Sequence, residues 1–386
     1  MDYNIDLHLL VPCRLSEDRG FPNSAETNSE IEHFMKMLDE CNNSEFTNRD
    51  VRNLDRRSLG KHQVHVIDVH GQHCCHPCFA IVSIHNDTRL AVVDIVVPEI
   101  KAGADRILDF FRSKQLTIGD SSDRSLIDQW LLENYGMHTV GDHRSLVFSG
   151  TKLSGVEKVN ILAAESEPMG LIMSEDFHEM STKNIAQYDT AETYVSEVTL
   201  LEINKEYKPE LRNRLSEQAI EVFFIILLLL QDAAICNVEM MIENAISDER
   251  DYNANSNTEL HTLVVEMSKA TRFFNPRNFY YPTVRLSSTK IAEKFGLPKQ
   301  KKLMAENKLL LEQLIELNTM YVQSKENDII NVILIILAVI QVVPLLFGGL
   351  EMICSIGIVS LACIVFIILF RRKQFHRAHK MTKGKV

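Results

Sequence analysis

Two uncharged apolar runs near the end of the chain, Ile329–Phe347 and Met352–Phe370, constrain its fold more than any other feature. Each is nineteen residues long. A helix of that length covers roughly 28 Å at about 1.5 Å per residue, close to the roughly 30 Å hydrocarbon core of a bilayer. Only Gly348-Gly349-Leu350-Glu351 separates the runs, so as helices they form an antiparallel hairpin. The alternative is a pair of fully buried helices in a soluble core. Against it stands the tail Arg371–Val386, which carries seven Lys and Arg and no acid. Basic residues beside a span stay on the cytoplasmic side. The expected protein is therefore multi-pass in the cell inner (plasma) membrane, in contact with the lipid bilayer, with both termini cytoplasmic.

The net charge of −11 understates an asymmetry. With the tail's seven positive charges set aside, 34 Lys and Arg stand against 52 Asp and Glu, a balance of −18 over residues 1–370. Such a body repels nucleic acid and attracts cations, so no direct nucleic-acid binding is expected. Met1-Asp2-Tyr3-Asn4-Ile5-Asp6 lacks the basic and apolar regions of a signal peptide. The eight cysteines are unevenly spread, and a cytoplasmic body predicts reduced thiols.

Four parts follow: an α/β cytoplasmic domain (1–205), a long-helix stalk (206–328), the two-span hairpin (329–370) and the basic tail (371–386). In the first part Val64–Val69, Phe79–Ile84 and the β-branched Leu90–Val97 read as strands, with a turn at His85-Asn86-Asp87. Ala102–Lys114 has helical spacing, and Ser125–Tyr135 reads as a helix capped by Ser122 or Asp123. Ser145–Phe148, Val159–Ala164 and Tyr194–Ile203 read as further strands. The polar stretches 15–60 and 250–258 read as loops or weakly ordered helix.

In the stalk, Glu210–Ile246 holds no Gly or Pro and predicts one long helix with Pro209 near its start. Its apolar centre, Val222–Gln231, is too short to cross a bilayer. It predicts burial between neighbours, with a re-entrant membrane segment as the alternative. Helix resumes over Glu259–Arg272, is interrupted through Pro276, Pro282 and Pro298, and then runs from Gln300 to Pro344. Leu303, Leu310 and Leu317 repeat every seven residues, and the series continues through Ser324, Asn331, Ala338 and Leu345. Such a line suits helices associating about an axis.

Gln323-Ser324-Lys325-Glu326-Asn327, the run from Ile329 to Ile340, Pro344-Leu345-Leu346-Phe347-Gly348 and Phe370-Arg371-Arg372-Lys373 together resemble the CorA family of metal-ion transporters. The order of an α/β domain, a long helix entering the first of two spans, a short link and a basic end agrees with that family. The resemblance implies a CorA-like funnel: a homopentamer with a pore lined by the first span, and a divalent cation, magnesium, as its ion. The link departs from the family's Gly-Met-Asn signature, so magnesium selectivity does not carry across. CorA-like proteins without that signature also occur as membrane effectors of type III CRISPR antiviral systems. There the implied ligand is a nucleotide second messenger, adenylated S-adenosylmethionine.

Asn331 and Gln341 are amides in an otherwise hydrocarbon-like helix, where an unpaired amide is costly. Ser324, Asn327, Asn331, Leu334, Ala338, Gln341, Leu345 and Gly348 follow steps of three and four, which keep to one helix face. Around an axis that face alternates polar rings with apolar constrictions at Leu334 and Leu345. The alternative is that the amides bond between helices. Glu351 in the link is either a cation-attracting ring or a solvated carboxylate.

His73, Cys75 and Cys78 form the densest ligand cluster, with His62, His65 and His70 upstream. Cys75 and Cys78 have zinc-knuckle spacing, against a plain hairpin loop between strands. No phosphate loop, dinucleotide glycine pattern or nucleophile elbow occurs, so an enzyme is not expected. Two functions remain: ion transport closed by divalent ions on the cytoplasmic domain, or a pore opened by a small ligand there.

Overall fold

The computed structural model describes residues 3–16, 20–43, 54–67, 73–102, 116–119, 124–163, 178, 182–186, 189–206, 208–247, 261–265, 267 and 282–347. The chain divides into two compact units, Met1–Glu249 with His261–Leu311, and Arg250–Leu260 with Glu312–Val386.

The first unit is built on one sheet. Its strands are β1 (Tyr3–Leu15), β2 (Leu54–Ile67), β3 (His73–His85), β4 (Leu90–Ala102), β5 (Thr117–Ile118), β6 (Ser125–Leu126), β7 (Met137–Thr139), β8 (Arg144–Ser149), β9 (Ala191–Val195) and β10 (Thr199–Asn204). Their order is β6-β5-β2-β3-β4-β1-β8-β10-β9, with β7 also beside β1. Pairing is antiparallel except between β8 and β10, whose crossover carries the helix α3 (Gly155–Ala163). A parallel pair needs such a crossover.

Strand β1 holds the centre. Its odd positions Ile5, Leu7, Leu9, Val11, Cys13 and Leu15 are all buried on one face, as a period of two requires. That core also takes Trp130 and Leu131 from α2 (Ile127–Tyr135) and Ile161 and Leu162 from α3. The opposite face presents His8, which touches the rings of Phe148 and of Phe34 on α1 (Ser29–Asn43). Pro12 is tolerated inside a central strand because of where it lies. β8 pairs β1 only as far as Leu10, and β7 begins at Cys13. The missing N–H therefore falls in the gap between two partners, while the Pro12 carbonyl accepts the Val140 N–H at 2.9 Å.

Helix α4 (Leu211–Ser247) packs on α1, β4 and β1. Among the described residues it is the one helix long and apolar enough to cross a membrane, yet 83% of its most apolar window is buried in the protein. Burial against the sheet, rather than a re-entrant segment, accounts for its uncharged centre. Among the described residues helix also occurs over 261–265, and then come α5 (Pro282–Lys294) and α6 (Leu297–Phe347).

Several expectations need correction. The N-terminal residues, to which the sequence assigns no element, form β1, and segment 15–60 holds α1 and the start of β2. Residues 155–163 are helix, not strand. Ser154 and Glu157 form a reciprocal cap there: the Ser154 N–H donates to Glu157 Oε2 at 2.7 Å, and the Glu157 N–H to Ser154 Oγ at 3.3 Å. Tyr194–Ile203 is two strands, because Ser196 turns the chain by bonding with Thr199. Helix α2 starts at Ile127 with Leu126 at its N-cap and no side-chain cap bond; Ser122 and Asp123 lie outside the described residues. Pro282 and Pro298 open helices rather than interrupt them, since the first turn has no use for their missing N–H. The long helix entering the first apolar run is present, and it passes through Pro344 to Phe347 as expected of Ile329–Phe347. Ala102, the first residue of the helix expected over Ala102–Lys114, ends β4 instead. Residues 103–115, most of Glu259–Arg272, the link, the second span and the tail lie outside the described residues.

Candidate functional site

Helix α6 is unbroken from Ser324 to Leu345, so the steps of three and four do place that series on one face. Ser324, Asn327, Asn331, Leu334 and Ala338 are exposed on the single chain. Gln341 and Leu345 are helical, while Gly348 and Glu351 lie outside the described residues. Exposure alone does not single out this face, because Ile329, Val332, Ile335 and Ile336 around it are exposed as well.

The histidine–cysteine cluster is not a loop. His73–Cys78 lies inside β3, where His76 pairs Val64 and Cys78 pairs His62. In a strand, residues three apart point to opposite faces, and accordingly Cys75 is exposed while Cys78 is buried. The knuckle spacing thus holds no common point for a metal. Burial also pushes the Cys78 thiol up to about 12, far from the thiolate that zinc requires. His62 and His65 spend a ring nitrogen on the carbonyls of Leu59 and Gly119, at 2.9 and 3.0 Å. Among the described residues no three His, Cys, Asp or Glu side chains are grouped to hold a metal ion.

The polar chemistry that the structure gathers lies instead where α4 crosses the sheet. His8 is fully buried. Its Nδ1 lies 3.0 Å from Asp94 Oδ2 and its Nε2 lies 3.1 Å from Gln218 Oε1. Burial works against a charged ring here, but Asp94 outweighs it, and the His8 pKa is raised. With an oxygen acceptor at each nitrogen, the ring is an imidazolium donating both protons. Gln218 Nε2 donates onward to Asp6 Oδ2 at 2.9 Å. Arg214 Nε donates to the same oxygen at 2.8 Å, and a second guanidinium nitrogen reaches Glu99 at 3.1 Å. Asp6 sits at a bulge between Ile5 and Leu7. There Glu99, at φ 53, turns its N–H toward Asp6 Oδ1 at 3.0 Å. Each charge in this network faces an opposite charge or a hydrogen-bond partner, which makes it a pin between sheet and helix rather than a reactive centre.

Beside this pin opens a cavity of about 460 Å³, walled by the β9–β10 hairpin, α4 and α5. Its size falls in the range of small-molecule sites. Apolar side chains, Phe224, Val284 and Ile291 among them, form much of the lining. Four carboxyls of the lining, Glu202 on β10, Glu206 just after it, and Glu217 and Glu221 on α4, give it its character. Lys208, the one basic residue of the lining, is ion-paired with Glu217. Burial holds the Glu202 carboxyl up to about 7. Glu221 is pushed well above the usual carboxylate range by burial and then by the charge of Glu202. Glu221 Oε2 is enclosed and has no hydrogen-bond partner among the described residues.

Sequence reasoning missed this cavity. Glu221 was visible only as an acid at the edge of an apolar helix centre, and Glu202 as an acid in the strand Leu200-Leu201-Glu202-Ile203. An acid on the buried side of each element was the available signal. Comparison of the chain with protein-family models and with curated proteins finds no match.

Proposed function

We propose that the chain is a homo-oligomeric cation channel or transporter of the inner (plasma) membrane, gated from its N-terminal α/β unit. The supporting observation is the surface of α6 at Ile329, Val332, Leu334, Ile335 and Ile336, each more than half exposed. At about 100° per residue these five spread over roughly 220° of the helix, wider than one partner face would cover, and Ile330, Ile333 and Leu337 occupy the remaining arc. A helix apolar on every side belongs in lipid or in the middle of an assembly. Upstream, Leu303, Leu310 and Leu317 are also about half exposed or more, at seven-residue spacing. Such a line suits association with further copies of the chain.

The CorA resemblance adds the number five, the divalent cation and the second span. In that arrangement Asn331 supplies a polar ring one turn from a constriction at Leu334. The acidic cavity repels phosphate, which tells against an anionic nucleotide messenger at that place. Native mass spectrometry of the full chain in detergent tests the reading. A homo-oligomer is expected for the wild type, with monomers for Leu310→Lys. Wild-type monomers, or a chain that stays soluble without detergent, would overturn it.

A further inference from the structure

The acidic cavity has chemistry that a channel pore does not need. Glu202 is only 6% exposed; its side-chain hydrogen bond is with Asn204, and the charge near it is that of Glu217, another acid. Glu221 turns an enclosed oxygen, without a partner among the described residues, into a region that already holds Glu202. The basic group nearest to hand, Lys208, is engaged by Glu217. The buried Glu202 carboxyl and the enclosed Oε2 of half-buried Glu221 therefore face a space of about 460 Å³ with no other cation among the described residues of its lining. An enclosed acceptor without a donor costs about 1–3 kcal/mol, and a fold keeps such a group where something else supplies the donor.

We propose that this cavity binds a small organic cation, an ammonium or guanidinium group carried on an apolar body. The ammonium end would donate to Glu221 and Glu202, and the body would lie against Phe224, Val284 and Ile291. A bare metal ion fits less well. Divalent ions take six or more oxygens, whereas much of this lining is carbon, and no metal-holding triad occurs among the described residues. A carboxylate or phosphate ligand would meet four acids, Glu202, Glu206, Glu217 and Glu221. A bound organic cation would also offset the burial that raises the Glu202 carboxyl, supplying the positive charge that lets it ionise.

The site goes beyond the channel reading and is tested without measuring flux. Isothermal titration calorimetry on the full chain in detergent would use phenethylamine and agmatine as cationic probes. Phenylacetate, with a similar body and opposite charge, and magnesium chloride serve as comparisons. Saturable binding of at least one cation is expected, with phenylacetate silent. Glu221→Gln keeps the side-chain shape but cannot ionise against a bound cation, so affinity should fall about tenfold or more. Ser287→Phe, which fills the cavity from α5, should abolish binding while thermal unfolding stays cooperative. No saturation by either cation would overturn the proposal, as would binding unchanged in both variants. Magnesium binding that depends on Glu221 and excludes the amines would replace it with a metal site.

Discussion

Replacing Glu202 by Gln isolates the electrostatic cost of the cavity. In the folded chain burial holds this carboxyl up to about 7, against 4.5 for an ordinary glutamate. The folded state therefore keeps a proton that the unfolded chain gives up, and stability falls as pH rises between those two values. A tenfold change in proton affinity is worth roughly 1.4 kcal/mol, so the full cost is about 3 kcal/mol once both states are ionised. Gln preserves the shape and the bond to Asn204 and cannot ionise. The variant should match the wild type near pH 4 and exceed it by about 3 kcal/mol at about pH 8. For a domain of this size each kcal/mol moves Tm by about 2–4 °C, so the gap should open from near zero to on the order of 6–12 °C. Circular dichroism melts of the full chain in detergent, run across that pH range, measure it. A gap that is the same at both ends, or a variant less stable at high pH, would refute the assignment of Glu202 as a buried acid without a compensating charge.

Other perturbations probe the remaining parts. Ser154→Ala removes one half of the α3 cap and should cost about 1 kcal/mol in urea unfolding, with no change in slope. Asp94→Asn leaves the His8 imidazolium without its counter-charge and should cost about 3–5 kcal/mol. Because the His8 pKa is raised, its contribution is fully present below about 6.5 and lost as pH rises through the folded value, so this penalty should shrink in alkaline melts. Asn331→Leu should alter cation flux in liposomes while native mass spectrometry shows the same assembly; unchanged flux would make the amide an inter-helix bond.

Elements announced by a single strong period were legible. The uninterrupted stretch before Ser247 gave α4, and the β-branched run at Leu90–Val97 gave β4. Strand β1 was equally periodic, with apolar residues at every odd position from Ile5 to Leu15, but Leu10 on the other face blurred the alternation and Pro12 argued against a strand. Helix α3 carried a Ser-x-x-Glu signature in four residues, and the apolar content of Val159–Ala163 outweighed it. The zinc-knuckle spacing misled because spacing has meaning only on a known backbone: three residues that close a turn around a metal point apart along a strand. The cavity could not be read at all. Glu202 and Glu221 meet because a hairpin edge and a helix cross, and only the pairing of β10 with β8 places that edge beneath α4.

The position of β1 also bears on how the chain is made. Its ladders join His8 to Val96 on one side and to Leu146 on the other, so the strand that completes the sheet leaves the ribosome long before either partner. In the interval β2 and β3 can close on each other as neighbours in sequence, whereas β1 must wait with a row of apolar side chains uncovered. Pairings of such wide separation are slow to form and vulnerable to wrong partners. A nascent chain halted before Arg144 should still lack its central register and remain sensitive to protease. One extended past Asn204 has all the described strands and can lock the sheet before the apolar end of α6 is synthesised.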